Sequence, residues 1–358
     1  MTSHDYFVLS SDQKNEWLEV TDAAERLDIS YHPDYVHALE CLRSNVSVFG
    51  GRGHMFVLES LGKRVVYPFM LRPLSELDQG LSGFDISSPY GYSGPALISA
   101  EGTTVQIGDA FRKAFNGYCS EKGVVTEFCR VNPYLNGCDP GNDGVFVDHG
   151  PLVHVNLLQE REFIVRNFNR NCRGAIRKAE RSGATVRIAD KSPTEILRFK
   201  SIYDDTMVRN QARAEYSFPE GFYRRLAAMD EASLFVVEVE DHIVSAAWFL
   251  AYGNCVQYFL SGVDETGRKI GASNLLLSGA IEHYKTKGLS LMCLGGGHGE
   301  SDSLLRFKLS FSSTTSPFRS YHKVHDHEAF KEICRVAGVE ENLENYFPPY
   351  RAISGQGR

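Results

Sequence analysis

The residues best suited to chemistry lie within 256–311, VQYFLSGVDETGRKIGASNLLLSGAIEHYKTKGLSLMCLGGGHGESDSLLRFKLSF. An apolar strand enters a loop carrying Gly267, Arg268, Lys269 and Gly271, and the loop opens onto a helix. The first turn of a helix leaves backbone N–H groups without intrahelical partners and carries the positive end of the dipole. Gly271, followed by the small Ala272 and Ser273, would let a pyrophosphate approach that backbone, while Arg268 and Lys269 add full charges. Arg268, Lys269, Ile270, Gly271, Ala272, Ser273 and Asn274 are therefore the candidate phosphate-binding residues. The pattern also suits an ordinary strand-to-helix connection bearing two solvated cations. Downstream, a triple glycine at 295–297 precedes His298, Glu300 and Asp302. His298 titrates near neutrality and suits removal of an amine proton, although a lone loop histidine equally fits a structural or solvated role.

These residues need a scaffold. Leu276, Leu277, Ala280, Ile281 and Tyr284 recur at helical spacing, and Gly288 stands where a helix ends. Upstream, 56–71 (FVLESLGKRVVYPFML) and 235–250 (FVVEVEDHIVSAAWFL) align at constant offset. Phe56 matches Phe235, Val57 matches Val236, Glu59 matches Glu238, Val65 matches Val244, Phe69 matches Trp248 and Leu71 matches Leu250. Each copy reads as strand, polar turn, strand. A helix and a further strand follow both hairpins, so the chain reads as a duplicated α/β (α+β) protein. Each domain is expected to be a mixed β-sheet flanked by helices. The boundary is expected near Gly150-Pro151, after the turn-rich LNGCDPGNDG, giving domains 1–150 and 151–315 and a C-terminal segment 316–358.

Composition narrows the classes. The 358 residues are 42% hydrophobic and 23% charged, as in soluble globular proteins. A net charge of −7 argues against a dedicated DNA or RNA binder, though not against a local basic site. No apolar run reaches membrane-span length, and the first residues lack a secretory pattern. Eight scattered cysteines without a C-x-x-C pair read as reduced thiols of a cytoplasmic protein. His322, His325 and His327 lack companion ligand spacing, so no metal is expected. The arginine-rich stretch 161–183 reads as an amphipathic helix with a solvated face or a cleft wall for an anion. The run 85–95 places Tyr90 and Tyr92 among glycine and proline turns. It suits a sugar or base ring, and equally a turn packed on the core.

The order strand–strand–strand–phosphate loop–helix–strand resembles the GNAT acyltransferases, whose R/Q-x-x-G-x-G/A signature is approximated by Arg268-Lys269-Ile270-Gly271-Ala272-Ser273. Ser273 stands where glycine or alanine is usual. The duplication, RGAIRKAERSG at 173–183, Tyr203, Thr206, Arg209 and Tyr216 within IYDDTMVRNQARAEYSF, and Phe307-Lys308 after the triple glycine resemble the FemABX-like branch of tandem GNAT proteins. That resemblance implies two tandem GNAT-like domains and an N-acyltransferase. It implies acyl-coenzyme A as donor at 268–274, with Lys308 stabilising charge at the reacting carbonyl; Phe307 fits the core or a wall of the cleft. It further implies Arg209 and Tyr216 near an acceptor diphosphate. The chain also resembles acyl-coenzyme A-dependent N-acyltransferases of nucleotide-linked amino sugars built on the same tandem fold, which implies such a sugar of surface polysaccharide as acceptor. Lys308 equally fits a surface cation. The alternatives are a Fem-type aminoacyl-tRNA-dependent transferase acting on a peptidoglycan precursor, which the acidic chain disfavours, and a degenerate non-catalytic binding module. The first half lacks an Arg-x-x-Gly loop before its helix, so it is expected to serve acceptor binding and structure.

Overall fold

A computed structural model describes residues 5–21, 24, 27–42, 49–60, 62–98, 104–135, 143–297 and 302–352. The chain divides into two compact units, 1–149 with 318–358, and 150–317. In chain order, the first stretch holds β1 (Asp5–Ser10), α1 (Lys14–Thr21), α2 (Pro33–Leu39), β2 (Arg52–Ser60) and β3 (Lys63–Pro73). It continues with β4 (Phe84–Ser87), β5 (Ala96–Leu97), α3 (Thr104–Lys122) and β6 (Val124–Val131). Then come β7 (Val145–Asn156), α4 (Arg161–Asn167), α5 (Arg170–Arg181), β8 (Thr185–Ile188), α6 (Pro193–Arg209), α7 (Glu220–Ala227), β9 (Ala232–Val239), β10 (His242–Tyr252) and β11 (Cys255–Val263). The remainder is α8 (Glu265–Ile270), α9 (Ala272–Thr286), β12 (Leu291–Gly295), α10 (Ser303–Leu309), β13 (Thr315–Val324) and α11 (His327–Ala337). No helix among the described residues is long and apolar enough to cross a membrane.

Each unit repeats one strand order. Unit 1 runs β1-β2-β3-β4-β6-β13, antiparallel throughout except for the parallel pair β4–β6. Unit 2 runs β8-β9-β10-β11-β12-β7, antiparallel except for the parallel pair β11–β12. A parallel pair needs a crossover, supplied by α3 in one unit and by α8–α9 in the other. The duplicated hairpins are β2–β3 and β9–β10. In the second, Glu240 and Asp241 lie at φ 49° and 64°, the left-handed pair that a tight two-residue hairpin turn requires.

The cores follow from helical period meeting strand period. On α3, Ile107, Phe111, Phe115 and Tyr118 fall on one face and pack on Phe56, Tyr67 and Phe69. On α9, Leu276, Leu277, Ala280, Ile281 and Tyr284 pack on Phe235, Phe249 and Val256. On another side of unit 2, Phe199 of α6 meets Trp248 of β10. In unit 1, Phe330, Phe347 and Tyr350 join Val125 and Val324 in a smaller cluster.

One element departs from the sequence reading. The stretch after β11, expected as a loop, is the helix α8. Asp264 caps it by accepting from the Gly267 N–H at 2.8 Å, and Glu265 pairs with Lys269 one turn on at 2.7 Å. A Cβ on Gly267 would lie 2.4 Å from the Val244 carbonyl oxygen, so this glycine lets α8 lie against β10.

Candidate active site

In unit 2 the sheet opens beside α8. β11 stays paired with β10 to Val263, but it pairs with β12 only where Cys255, Val256 and Gln257 face Leu291, Met292 and Cys293. Past that point β11 leads through Asp264 into α8, and β12 leads into the glycine turn, with Gly295 at φ 80°. In unit 1 the corresponding place is laced shut. Beyond the β4–β6 pairing, Ser88 N–H donates to Phe128 O, Ser93 N–H to Arg130 O and Asn132 N–H to Ser93 O.

Arg209, Glu265, Arg268 and Lys269 surround a cavity of about 360 Å³ in unit 2. Arg209, at the end of α6, donates to the Val263 carbonyl and to Thr206 Oγ1, both at 3.1 Å. Thr206 Oγ1 in turn accepts from the Val263 N–H at 3.1 Å, and its one hydrogen faces the Ile202 carbonyl at 2.8 Å and the Val263 carbonyl at 3.2 Å. The Lys269 ammonium holds the exposed Glu265 carboxyl below its usual range through a hydrogen bond and charge. Such an exposed pair is weak, so a phosphate can compete for the lysine.

The other candidate phosphate residues sit differently. Gly271, at φ 86°, ends α8 and begins α9. A Cβ there would stand 3.0 Å from both the Cβ and the carbonyl oxygen of Ala175, so α5 packs on this junction. Lys178 of α5 donates to the Lys269 carbonyl at 2.6 Å. Ile270 packs on the core, Ala272 is fully buried and Ser273 is half-buried. Asn274 donates to the Cys172 sulfur at 3.6 Å. Thus Arg268 and Lys269 reach the cavity together with Arg209, which the sequence had grouped with the acceptor.

Lys308 is not a surface cation. It is 8% exposed and donates to the Gly296 carbonyl at 2.6 Å, tying α10 to the glycine turn. Burial pushes its pKa down to about 8, against the opposing pull of Cys293 and Asp302. Asp302 caps α10 by accepting from Leu304 N–H at 2.9 Å. A Cβ on Gly297 would fall 2.7 Å from an Asp302 oxygen, so the turn and the helix start lie in close contact. Phe307 is half-buried, its ring 5.4 Å from that of Phe311 at the margin of the core. The Tyr216 carbonyl accepts from the Tyr203 hydroxyl at 3.0 Å, which folds the chain after Arg209 back along α6. His298 lies outside the described residues.

Unit 1 holds Tyr90 and Tyr92 in a rigid turn. The Tyr35 hydroxyl donates to Tyr90 O and the Tyr31 hydroxyl to Gly94 O, each at 2.6 Å. Asn132 donates to Tyr92 O at 3.3 Å and also to the buried Asp28, which accepts from Ser30 N–H as well. The Tyr90 ring lies 4.2 Å from Phe49, and the Tyr92 ring meets Phe318 edge-on at 5.3 Å. Sequence reasoning missed Asp28, Tyr31, Tyr35, Asn132 and Arg130. The signal available was the polar and aromatic run DISYHPDY at 28–35, too rich in hydrogen-bonding groups for an ordinary helix start.

Comparison with known proteins accords with this geometry. Residues 166–308 match the model of the acetyltransferase (GNAT) domain. No curated protein matches the chain. Among solved structures, the fold is similar to that of FemX, with a TM-score of 0.68 and 11% identity over 92% of this chain and 99% of that one. It is also similar to the C-terminal domain of a putative lysylphosphatidylglycerol synthetase from Agrobacterium fabrum, with a TM-score of 0.55 and 14% identity over 91% and 97%. At such identities the likeness is one of fold. The fold is thus two GNAT-like units in tandem, and the GNAT domain within unit 2 makes the protein an N-acyltransferase.

Proposed function

We propose that this N-acyltransferase, built on the tandem GNAT fold, moves an acyl group from acyl-coenzyme A to the amino group of a nucleotide-linked amino sugar. The observation that carries the donor assignment is the cavity lined by Arg209, Arg268 and Lys269 with one carboxylate, Glu265. Three cations against one anion favour a pyrophosphate, and a guanidinium pairs with phosphate oxygens two at a time. The parted strands beside it supply backbone groups of β11 beyond Gln257 to an extended amide-bearing arm, in the manner of an added strand.

The reaction needs a neutral amine, since an alkylammonium is mostly protonated at pH 7. After the ammonium gives up one proton to solvent water, its nitrogen attacks the thioester carbon and the carbonyl becomes an oxyanion. Collapse breaks the C–S bond, and the departing thiolate takes the second amine proton. Lys308 keeps its own proton up to about pH 8 and stays fixed on Gly296, so a positive charge stands in place before the oxyanion forms. The acceptor assignment rests on the resemblance to tandem GNAT sugar acyltransferases together with the rigid tyrosine turn of unit 1.

Calorimetric titration with acetyl-coenzyme A and with a charged tRNA tests the donor. Binding of the coenzyme at one site, weakened about tenfold or more in Arg268→Ala, is the expected result. Binding of the charged tRNA without binding of the coenzyme overturns it. Mass spectrometry of products from a panel of acyl-coenzyme A donors and nucleotide-linked amino sugars then identifies both substrates.

A further inference from the structure

We infer that unit 1 carries an anion-binding site centred on Arg130, which takes a phosphoryl group of a nucleotide. Arg130 lies near the end of β6, and its backbone is used by its neighbours: its N–H donates to Ser88 Oγ at 3.1 Å and its carbonyl accepts from Ser93 N–H at 2.7 Å. Its guanidinium lies over two aromatic rings. The guanidinium carbon sits 4.8 Å from the centre of the Phe128 ring and 5.5 Å from that of Phe49. Cation–π contact uses the charge of a guanidinium without consuming its five N–H donors, which a ligand can accept from. Among the described residues no carboxylate pairs with this guanidinium, unlike Arg72 and Arg351 of the same unit, which share Asp85 at 2.7 Å each. Arg130 is only half-buried, so a ligand can reach it.

The surroundings favour an anion joined to a planar ring. The Tyr90 ring lies against Phe49, over which the Arg130 guanidinium also lies. The exposed His149 donates to or accepts from Ser320 Oγ at 2.6 Å, and its ring stands 4.9 Å from Phe318, which meets Tyr92. Partial burial first, then the Arg130 charge, lowers the pKa of His149, with Asp148 pulling the other way. Tyr31, Tyr35 and Asn132 fix the turn carrying Tyr90 and Tyr92 through its carbonyls, so little ordering remains to be done on binding. A cation with no carboxylate partner among the described residues, framed by aromatic faces on a fixed turn, matches a phosphoryl group beside a nucleobase or sugar ring. That the nucleotide is the acceptor's rests on the function proposed above; the binding itself does not.

The test is calorimetry on the full chain with a panel of nucleoside diphosphates, the parent nucleosides and pyrophosphate. The variants are Arg130→Met and Arg130→Lys. Wild type is expected to bind a nucleoside diphosphate, and pyrophosphate to compete with it. Arg130→Met should weaken that binding about 10- to 100-fold, the range for a charge-assisted hydrogen-bond pair, with part of the loss restored in Arg130→Lys. With the unit 2 cavity filled by saturating acetyl-coenzyme A, wild type should still bind the nucleoside diphosphate. Unchanged hydrogen-exchange protection of β4 and β6 in Arg130→Met shows that unit 1 of the variant is folded. The inference is overturned if wild type binds neither nucleoside diphosphate nor pyrophosphate, if Arg130→Met binds them equally well, or if a nucleoside competes as well as its diphosphate. Coenzyme binding and amine acylation that survive those outcomes leave the acyl-transfer reading standing.

Discussion

Burial alters the chemistry of Lys308. Its folded pKa of about 8 lies below the ordinary 10.5. Below pH 8 both folded and unfolded chains hold the proton, and the full cost of burying the charge is present. Between about 8 and 10.5 the unfolded chain binds a proton that the folded chain lacks, so this group's contribution to stability rises with pH across that window. In the proposed reaction, where the ammonium stabilises the oxyanion, activity should run the other way: kcat is expected to fall as pH rises through about 8. Lys308→Arg keeps its charge throughout and should move that falling limb beyond the measurable range. Lys308→Met should lose about 100-fold or more in kcat, the scale of one lost oxyanion donor. Its melting temperature should change little, because relief of the buried charge offsets the unpaired Gly296 carbonyl. A wild-type kcat profile flat from about pH 7 to about pH 9.5, at saturating acyl-coenzyme A, removes the ammonium from the mechanism.

At the scale of elements, the junction between α8 and α9 separates binding from packing. Gly271 has a left-handed backbone and no room for a Cβ against Ala175. Gly271→Ala should therefore cost about 1–2 kcal/mol for the backbone alone and lower the melting temperature. Arg268→Ala leaves the fold intact and should raise the donor KM about tenfold. Measuring melting temperature and KM on both variants distinguishes the roles, and a Gly271→Ala protein of unchanged stability contradicts the packing account. The same junction shows where the sequence was legible. The hairpins and α9 could be read because strand and helix periods are local patterns. α8 could not, because Thr-Gly-Arg-Lys reads as a loop unless the Asp264 cap and the Glu265–Lys269 pair are given weight. Gly271 fits a ligand's approach and a helix's approach equally well in sequence; only Ala175, nearly a hundred residues earlier, decides. The Arg130 site was illegible for a similar reason. Tyr31 reaches Gly94 across 63 residues, Tyr35 reaches Tyr90 across 55 and Asn132 reaches Asp28 across 104.

On the scale of the whole molecule, the duplication is completed by exchange along the chain. Unit 2 takes its last strand, β7, from before its other elements, and unit 1 takes its last strand, β13, from after all of unit 2. The C-terminal stretch is therefore part of unit 1's core. β13 pairs with β6 from Arg319↔Val131 to Val324↔Thr126, His325 meets the buried Glu127 at 3.1 Å, and the Tyr350 hydroxyl meets Thr126 Oγ1 at 2.7 Å. Arg351 shares the fully buried Asp85 with Arg72. Removing one member of such a group leaves a buried charge uncompensated, at about 3–5 kcal/mol. Asp85→Asn strands two guanidiniums at once and should markedly lower the melting temperature of unit 1. Deleting 318–358 goes further: it uncovers the β6 edge, leaves Glu127 without its histidine and opens the cluster built on Val125. Hydrogen exchange followed by mass spectrometry should then find amides of β4 and β6 exchanging as in an unfolded chain. Those of β10 and β11, which draw every strand partner from 150–317, should keep their protection. Retained protection in β6 after the deletion would show that unit 1 folds without its borrowed strand. Loss of protection in β10 and β11 would show that unit 2 depends on unit 1 to stay folded.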